Sequence, residues 1–202
     1  MRSTFISAAF AALTCAFASP ALASEWKPHI VTGASFGGAV LGQTLDTIDG
    51  VDAENFGQKS DIGWNASVHA GAGIGRDWAA LVEVSYSEAE AAGRDDIGVG
   101  GDDVRILAGF LTAQYRFATI GRLRPYVELG AGLGNIDDGY DDTTAFGLKG
   151  AFGLDYAVGE RTSIFGELQY AKFFGVDYEV TGSEIESSVS STTLNFGVNQ
   201  RF

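Results

Sequence analysis

Two histidines, His29 and His69, are the chain's only candidates for imidazole proton transfer. A serine hydrolase needs a serine within hydrogen-bond reach of a histidine that an acid orients. Pairing Ile74 with Trp78 across a short turn at 75–77 puts Glu83 directly opposite His69, with Ser67 and Ser85 close by. The neighbours on that face are glycine, alanine and serine, which describes a cramped interior rather than a cleft open to an acyl chain. The expected chemistry is a satisfied polar pair of His69 and Glu83. No catalytic residue is assigned.

Other motifs weigh against cofactors. Asp137-Asp138-Gly139-Tyr140-Asp141-Asp142 has oxygen ligands for calcium, but not the spacing of an EF-hand loop. Gly71-x-Gly73-x-Gly75 and Gly130-x-Gly132-x-Gly134 repeat with period two and lead into no helix, so they are not a phosphate-binding fingerprint. No metal or other cofactor is expected. The net charge of −13 argues against nucleic acid, whose phosphates need basic contacts.

The elements that hold these residues are read from period-two alternation. Strands are expected at about 26–37, 61–74, 78–87, 104–117, 125–135, 145–158, 162–174 and 189–202. In the sixth, Phe146, Leu148, Phe152, Leu154 and Tyr156 share one face, and Gly147, Lys149, Ala151, Gly153 and Asp155 the other. The second sets Ile62, Trp64, Ala66 and Val68 against Gly63, Asn65, Ser67 and His69. The fourth is ambiguous: Tyr115 and Phe117 favour odd positions outward, whereas Ile106 and Phe110 are even, and a bulge near Gly109 would reconcile them. A soluble sandwich would bury its large apolar face and expose long charged residues opposite. Here the opposite face is small and polar, the pattern of a membrane-spanning barrel wall.

The ends of the chain agree. Arg2, the apolar run Phe5 to Phe17, and Ala21-Leu22-Ala23 read as a secretory signal over residues 1–23, with a barrel domain over 24–202. The run is too short for a spanning helix, and no later stretch holds 18 apolar residues. Thr14 before the single Cys15 disfavours a lipidation site, and cleavage after Ala23 leaves no cysteine. Leu194, Phe196, Val198 and Phe202 alternate up to a terminal aromatic. That ending resembles the assembly signal of outer-membrane barrels, with Gln200 departing from the usual apolar residue. The expected fold is all-β, an eight-stranded antiparallel up-and-down transmembrane β-barrel.

Long connections at 38–60, 88–103, 136–144 and 175–188 alternate with short ones at 75–77, 118–124 and 159–161. This is the asymmetry of outer loops and periplasmic turns. The outer loops carry Asp46, Asp49, Asp52, Glu54, Glu88, Glu90, Asp95, Asp96, Asp102, Asp103, Asp137, Asp138, Asp141, Asp142, Asp177, Glu179, Glu184 and Glu186 against Lys59 and Arg94. The turns carry Arg76, Arg122, Arg124 and Arg161. Trp26, Trp78, Phe117, Tyr156 and Phe202 fall at the inner rim, as an interfacial girdle would. The interior is expected to hold a polar network of His69, Glu83, Glu128, Lys149, Asp155 and Glu167, with Lys149 between Glu128 and Glu167. An eight-stranded interior is just wide enough for side chains to fill.

Tyr115-Arg116-Phe117, Pro125-Tyr126-Val127 and Gly130-Ala131-Gly132-Leu133-Gly134 resemble a block of small porin-like surface barrels, the opacity-protein-like and OmpX/OmpA-like groups. The resemblance implies a Gram-negative envelope protein or surface antigen and leaves its function open. Outer-membrane lipid A deacylases use His, Ser and Glu, but neither histidine here lies in a His-x-Ser-Asn segment. The function expected is a monomeric structural or surface-interaction protein in the outer membrane, not an enzyme. Its partners would be membrane lipid, lipopolysaccharide, the barrel assembly machinery and divalent cations at the acidic loops. A narrow passive pore is the alternative, and a lipid-modifying enzyme a more distant one.

Overall fold

A computed structural model describes residues 29–48, 51–52, 57–90, 103–137, 142–180 and 183–202. The signal segment, Trp26, and Asp49, Glu54, Asp95, Asp96, Asp102, Asp138 and Asp141 lie outside them. Eight long strands follow one another: β1 His29–Ile48, β2 Gly57–Ile74, β3 Trp78–Glu90, β4 Asp103–Arg116, β5 Leu123–Asp137, β6 Asp142–Ala157, β7 Thr162–Val180 and β8 Ser183–Arg201. A two-residue strand, Val51–Asp52, folds back on Thr47 and Ile48. Each long strand pairs antiparallel with the next, and β8 closes on β1. Closure removes every open edge along the wall, which hydrocarbon would leave without partners.

The register sets the size of the tube. Following paired residues from Gly33 through His69, Glu83, Phe110, Gly132, Gly147, Phe173 and Val189 returns to β1 at Gln43. One circuit therefore climbs from position 33 to position 43. With ordinary strand spacings, this stagger tilts eight strands by roughly 40° and gives a radius of about 8 Å. Such a bore is filled by side chains pointing in from opposite walls.

The outer face is apolar between two aromatic rims. Trp78 and Tyr115 meet with ring centroids 4.9 Å apart, and Tyr115 meets Phe117 edge-on at 5.1 Å. At the other end Trp64 lies 5.2 Å from Tyr86 and 6.1 Å from Phe36. Trp64 is ten residues along β2 from Ile74, the partner of Trp78. On tilted strands that is about 25 Å along the axis, the height of an outer-membrane hydrocarbon band. Leu111, Leu129, Leu148, Phe152, Leu168, Leu194, Phe196 and Val198 lie exposed in this band.

Two expectations are corrected. Strand β4 has no bulge at Gly109: its ladders to β3 and β5 run without a shift, and every even position from Ile106 to Arg116 is buried inside. Ile106 and Phe110 point inward because this part of the interior is apolar. The ladder shifts instead between Val40 and Gly42, between Leu45 and Thr47, and between Phe173 and Val176. Gly175, at φ 69°, absorbs the last of these. The outer connections are also shorter than their sequence suggested. β1 runs on to Ile48, β7 to Val180, and β8 begins at Ser183. Much of 38–60 and 175–188 is thus barrel wall rather than loop. Alternation stops marking strands there because neither face meets hydrocarbon.

Candidate functional site

The interior has two storeys. The inner storey is mostly polar, with a small apolar cluster of Val31, Ala79 and Leu81 in its wall, and Lys149 is its hub. The Lys149 side chain is fully buried; its Nζ donates to Glu83 Oε2 at 2.6 Å and lies 3.4 Å from Glu128 Oε2. Glu128 Oε1 also accepts from Gln114 Nε2 at 2.7 Å, and Arg116 Nε donates to Gln114 Oε1. A second chain runs beside it. Arg201 donates to Asp155 Oδ2 at 2.8 Å, Asn199 Nδ2 to Asp155 Oδ1 at 3.3 Å, and His69 Nε2 lies 2.8 Å from Asn199 Oδ1. Glu167 accepts from the Tyr126 hydroxyl at 3.0 Å. Opposite charges and shared hydrogen bonds offset the desolvation that makes a lone interior ion so costly.

The outer storey is mostly apolar, with the bonded pair Asn65 and Ser87 among its buried residues. Leu41, Ile106, Phe110, Ile136, Phe173, Val176 and Val189 form one buried cluster. The Phe110 and Phe173 rings meet at 5.9 Å, and Lys149 Nζ lies 5.9 Å from the Phe110 centroid, where the two storeys touch. The sequence hid this cluster, because large apolar residues on the inward face break the apolar-out rule that defines the strands. A regular ladder on both sides of β4 was the information needed, and only pairing supplies it.

Inward glycines are sockets for these groups. A Cβ at Gly153 would fall within the Tyr126 ring, and one at Gly147 or Gly134 within reach of Phe173. A Cβ at Gly33 would strike both His69 and Asn199 where they meet. Gly153→Val is therefore expected to destabilise the fold by about 1–3 kcal/mol through overpacking. Gly159→Val, in a turn with nothing within 4 Å of a Cβ, is the control. Urea unfolding in lipid vesicles, followed by heat-modifiable gel mobility, reads the difference.

All six residues of the sequence-derived network lie on inward strand positions, but they are partnered differently from the sequence picture. His69 and Glu83 do oppose each other in register. Glu83 turns instead to Lys149 across the bore, and His69 to Asn199. Lys149 takes Glu83 and Glu128, while Glu167 takes Tyr126. In so narrow a tube, groups on non-adjacent strands come within bonding distance, and a full positive charge outcompetes an imidazole. Sequence reading missed Gln114, Arg116, Tyr126 and Asn199 as members. Asn199→Ala should move the His69 side-chain nitrogen resonances in an NMR spectrum, and Glu83→Gln should leave them nearly in place; the reverse pattern would restore the cross-strand pair.

Leu194, Phe196, Val198 and Phe202 all lie exposed on the outer surface. At the outer tips, Asp137 pairs in register with Asp142, Asp177 with Glu186, and Glu179 with Glu184. Arg105 bonds Glu88 at 3.2 Å and Asp103 at 3.4 Å. Among the described residues, no three His, Cys, Asp or Glu side chains converge on one point where a metal ion could sit.

A closed antiparallel tube with an apolar belt, two aromatic rims and a side-chain-filled bore defines an integral β-barrel membrane protein. The chain belongs to the outer membrane protein beta-barrel domain family, whose model matches residues 8–202, and it resides in the outer membrane. Among solved structures it is similar to Neisserial surface protein A (NspA), with 19% identity and a TM-score of 0.56 over 88% of this chain and 100% of that one. It is also similar to OprG from Pseudomonas aeruginosa, with 17% identity and a TM-score of 0.53 over 85% of this chain and 95% of that one. The outer membrane protein AlkL shares 18% identity and a TM-score of 0.54 over 91% of this chain and 95% of that one. At these identities the likeness establishes the fold alone. No curated protein sequence matches the chain.

Proposed function

We propose that this protein is a structural and surface-interaction barrel that does not conduct like a general porin and works through its acidic outer rim and not through its bore. The observation that carries the reading is the filled interior: an ion-paired inner storey beneath an apolar outer one. A hydrated solute would have to break the bonds of Lys149 and displace Phe110 and Phe173. The same closure speaks against an enzyme, since His69 is inside and its ring nitrogen is engaged with Asn199. Lipopolysaccharide, divalent cations bridging the carboxylates, and the assembly machinery are the partners proposed for the outer surface.

The test is a planar bilayer recording of the purified barrel. Rare or flickering currents are expected for the wild type, and Phe110→Ala with Phe173→Ala should raise their frequency by thinning the outer storey. Stable, large conductance steps in the wild type would refute the closed bore and favour the passive pore. Unchanged lipid A mass in cells with and without the protein is the matching expectation against a lipid-modifying enzyme.

A further inference from the structure

The inner rim carries a charge pattern that neither the bore nor the outer tips use. Three turns connect the strands there, between β2 and β3, β4 and β5, and β6 and β7. Each presents an exposed arginine: Arg76, Arg122 and Arg161. Among the described residues none of the three guanidinium groups has a carboxylate partner. Asp77 is taken by Arg124, whose Nη2 lies 2.9 Å away. Asp155 is taken by Arg201 inside the bore. Glu160 is the other carboxylate exposed at these turns.

Hydrogen bonds hold the turns, which fixes the backbone positions from which the arginines project. Arg124 also donates to the Arg76 carbonyl at 3.0 Å and the Phe117 carbonyl at 3.1 Å, tying two turns together. Ile120 and Leu123 close the middle turn by mutual backbone hydrogen bonds. Exposed apolar residues share each arginine's turn or the strand ends flanking it: Trp78 at the first, Phe117, Ile120 and Leu123 at the second, Tyr156 and Val158 at the third. Aromatics at this height sit at the lipid headgroups, which places the cations level with headgroup phosphates. The acidic outer tips lie beyond the far aromatic rim, more than about 25 Å away and so more than some three Debye lengths at physiological salt, and do not cancel this field.

We propose that the inner rim is a binding surface for anionic glycerophospholipid of the inner leaflet. Arg76, Arg122 and Arg161 each hold a headgroup phosphate while the neighbouring aromatic and aliphatic groups pack against the upper acyl chain. The turns alternate around the tube, so the sites are separate and their effects additive. Near a membrane surface each basic residue contributes about a fivefold preference for anionic lipid.

Electron spin resonance of spin-labelled lipids tests this with the whole barrel reconstituted in phosphatidylcholine bilayers. Labelled phosphatidylglycerol should be immobilised in preference to labelled phosphatidylcholine. The preference should fall to parity in R76Q/R122Q/R161Q, survive in the R76K/R122K/R161K triple variant, and survive in R105Q/K172Q at the outer end. Heat-modifiable gel mobility confirms that each variant is folded. Absence of a preference in the wild type, its persistence in the glutamine variant, or its loss only in R105Q/K172Q would overturn the proposal. So would R76Q/R122Q/R161Q-sensitive sedimentation with peptidoglycan unaccompanied by any lipid preference, which would assign the rim to the cell wall.

Discussion

Lys149→Met is expected to lower the unfolding free energy by about 3–5 kcal/mol, the usual result of removing one partner from a buried ion pair. Lys149 lies between Glu83 and Glu128, both almost fully buried. Without the ammonium, two buried carboxylates that shared one cation are left close together, and Glu83 loses the donor it bonds. The loss is therefore chiefly uncompensated charge rather than missing contact. Lys149→Met combined with Glu83→Gln and Glu128→Gln should recover most of it, because the unpaired charges are then gone. Urea unfolding in vesicles at neutral pH, read by tryptophan fluorescence, measures all three forms. A single variant as stable as wild type would show that Lys149 is not the hub of the inner storey.

The neighbouring residue gives the second large effect through different physics. Leu148 is half exposed on the outer surface, next to Lys149 in sequence but on the opposite face of β6. Leu148→Arg should destabilise the folded barrel by about 2–4 kcal/mol, the cost of a cation facing hydrocarbon in such a wall. Val68→Arg on β2 should behave alike, since Val68 is exposed at the middle of the belt. A spin label at 68 or 148 should report accessibility to oxygen and not to a water-soluble quencher. Water contact at either site would mean that the strand had turned its faces over. Adjacent positions thus fail for opposite reasons: 149 for loss of a charge, 148 for gain of one.

The sequence by itself determined the wall. A one-residue step along a strand turns a side chain to the other face, so lipid outside and a cramped bore inside leave a period-two record. That record is clean in β2, β3 and β6, where Trp64, Val68, Trp78, Val84, Leu148 and Phe152 face outward. It gave the strand order and the inward position of Lys149 and Glu83. It failed at Ile106 and Phe110, because a lumen that is apolar at its outer end looks, residue by residue, like lipid. It failed again beyond Val40 and before Ser187, where the wall rises out of the hydrocarbon and nothing forces alternation. The tertiary structure alone decided who bonds whom across the bore. Register stagger brings β3 and β6 face to face, so Lys149 reaches Glu83 from a strand three places around the wall, and closure of β8 on β1 sets Asn199 beside His69. Those contacts depend on the radius and tilt of the closed tube, which are properties of all eight strands together and of no local stretch of sequence.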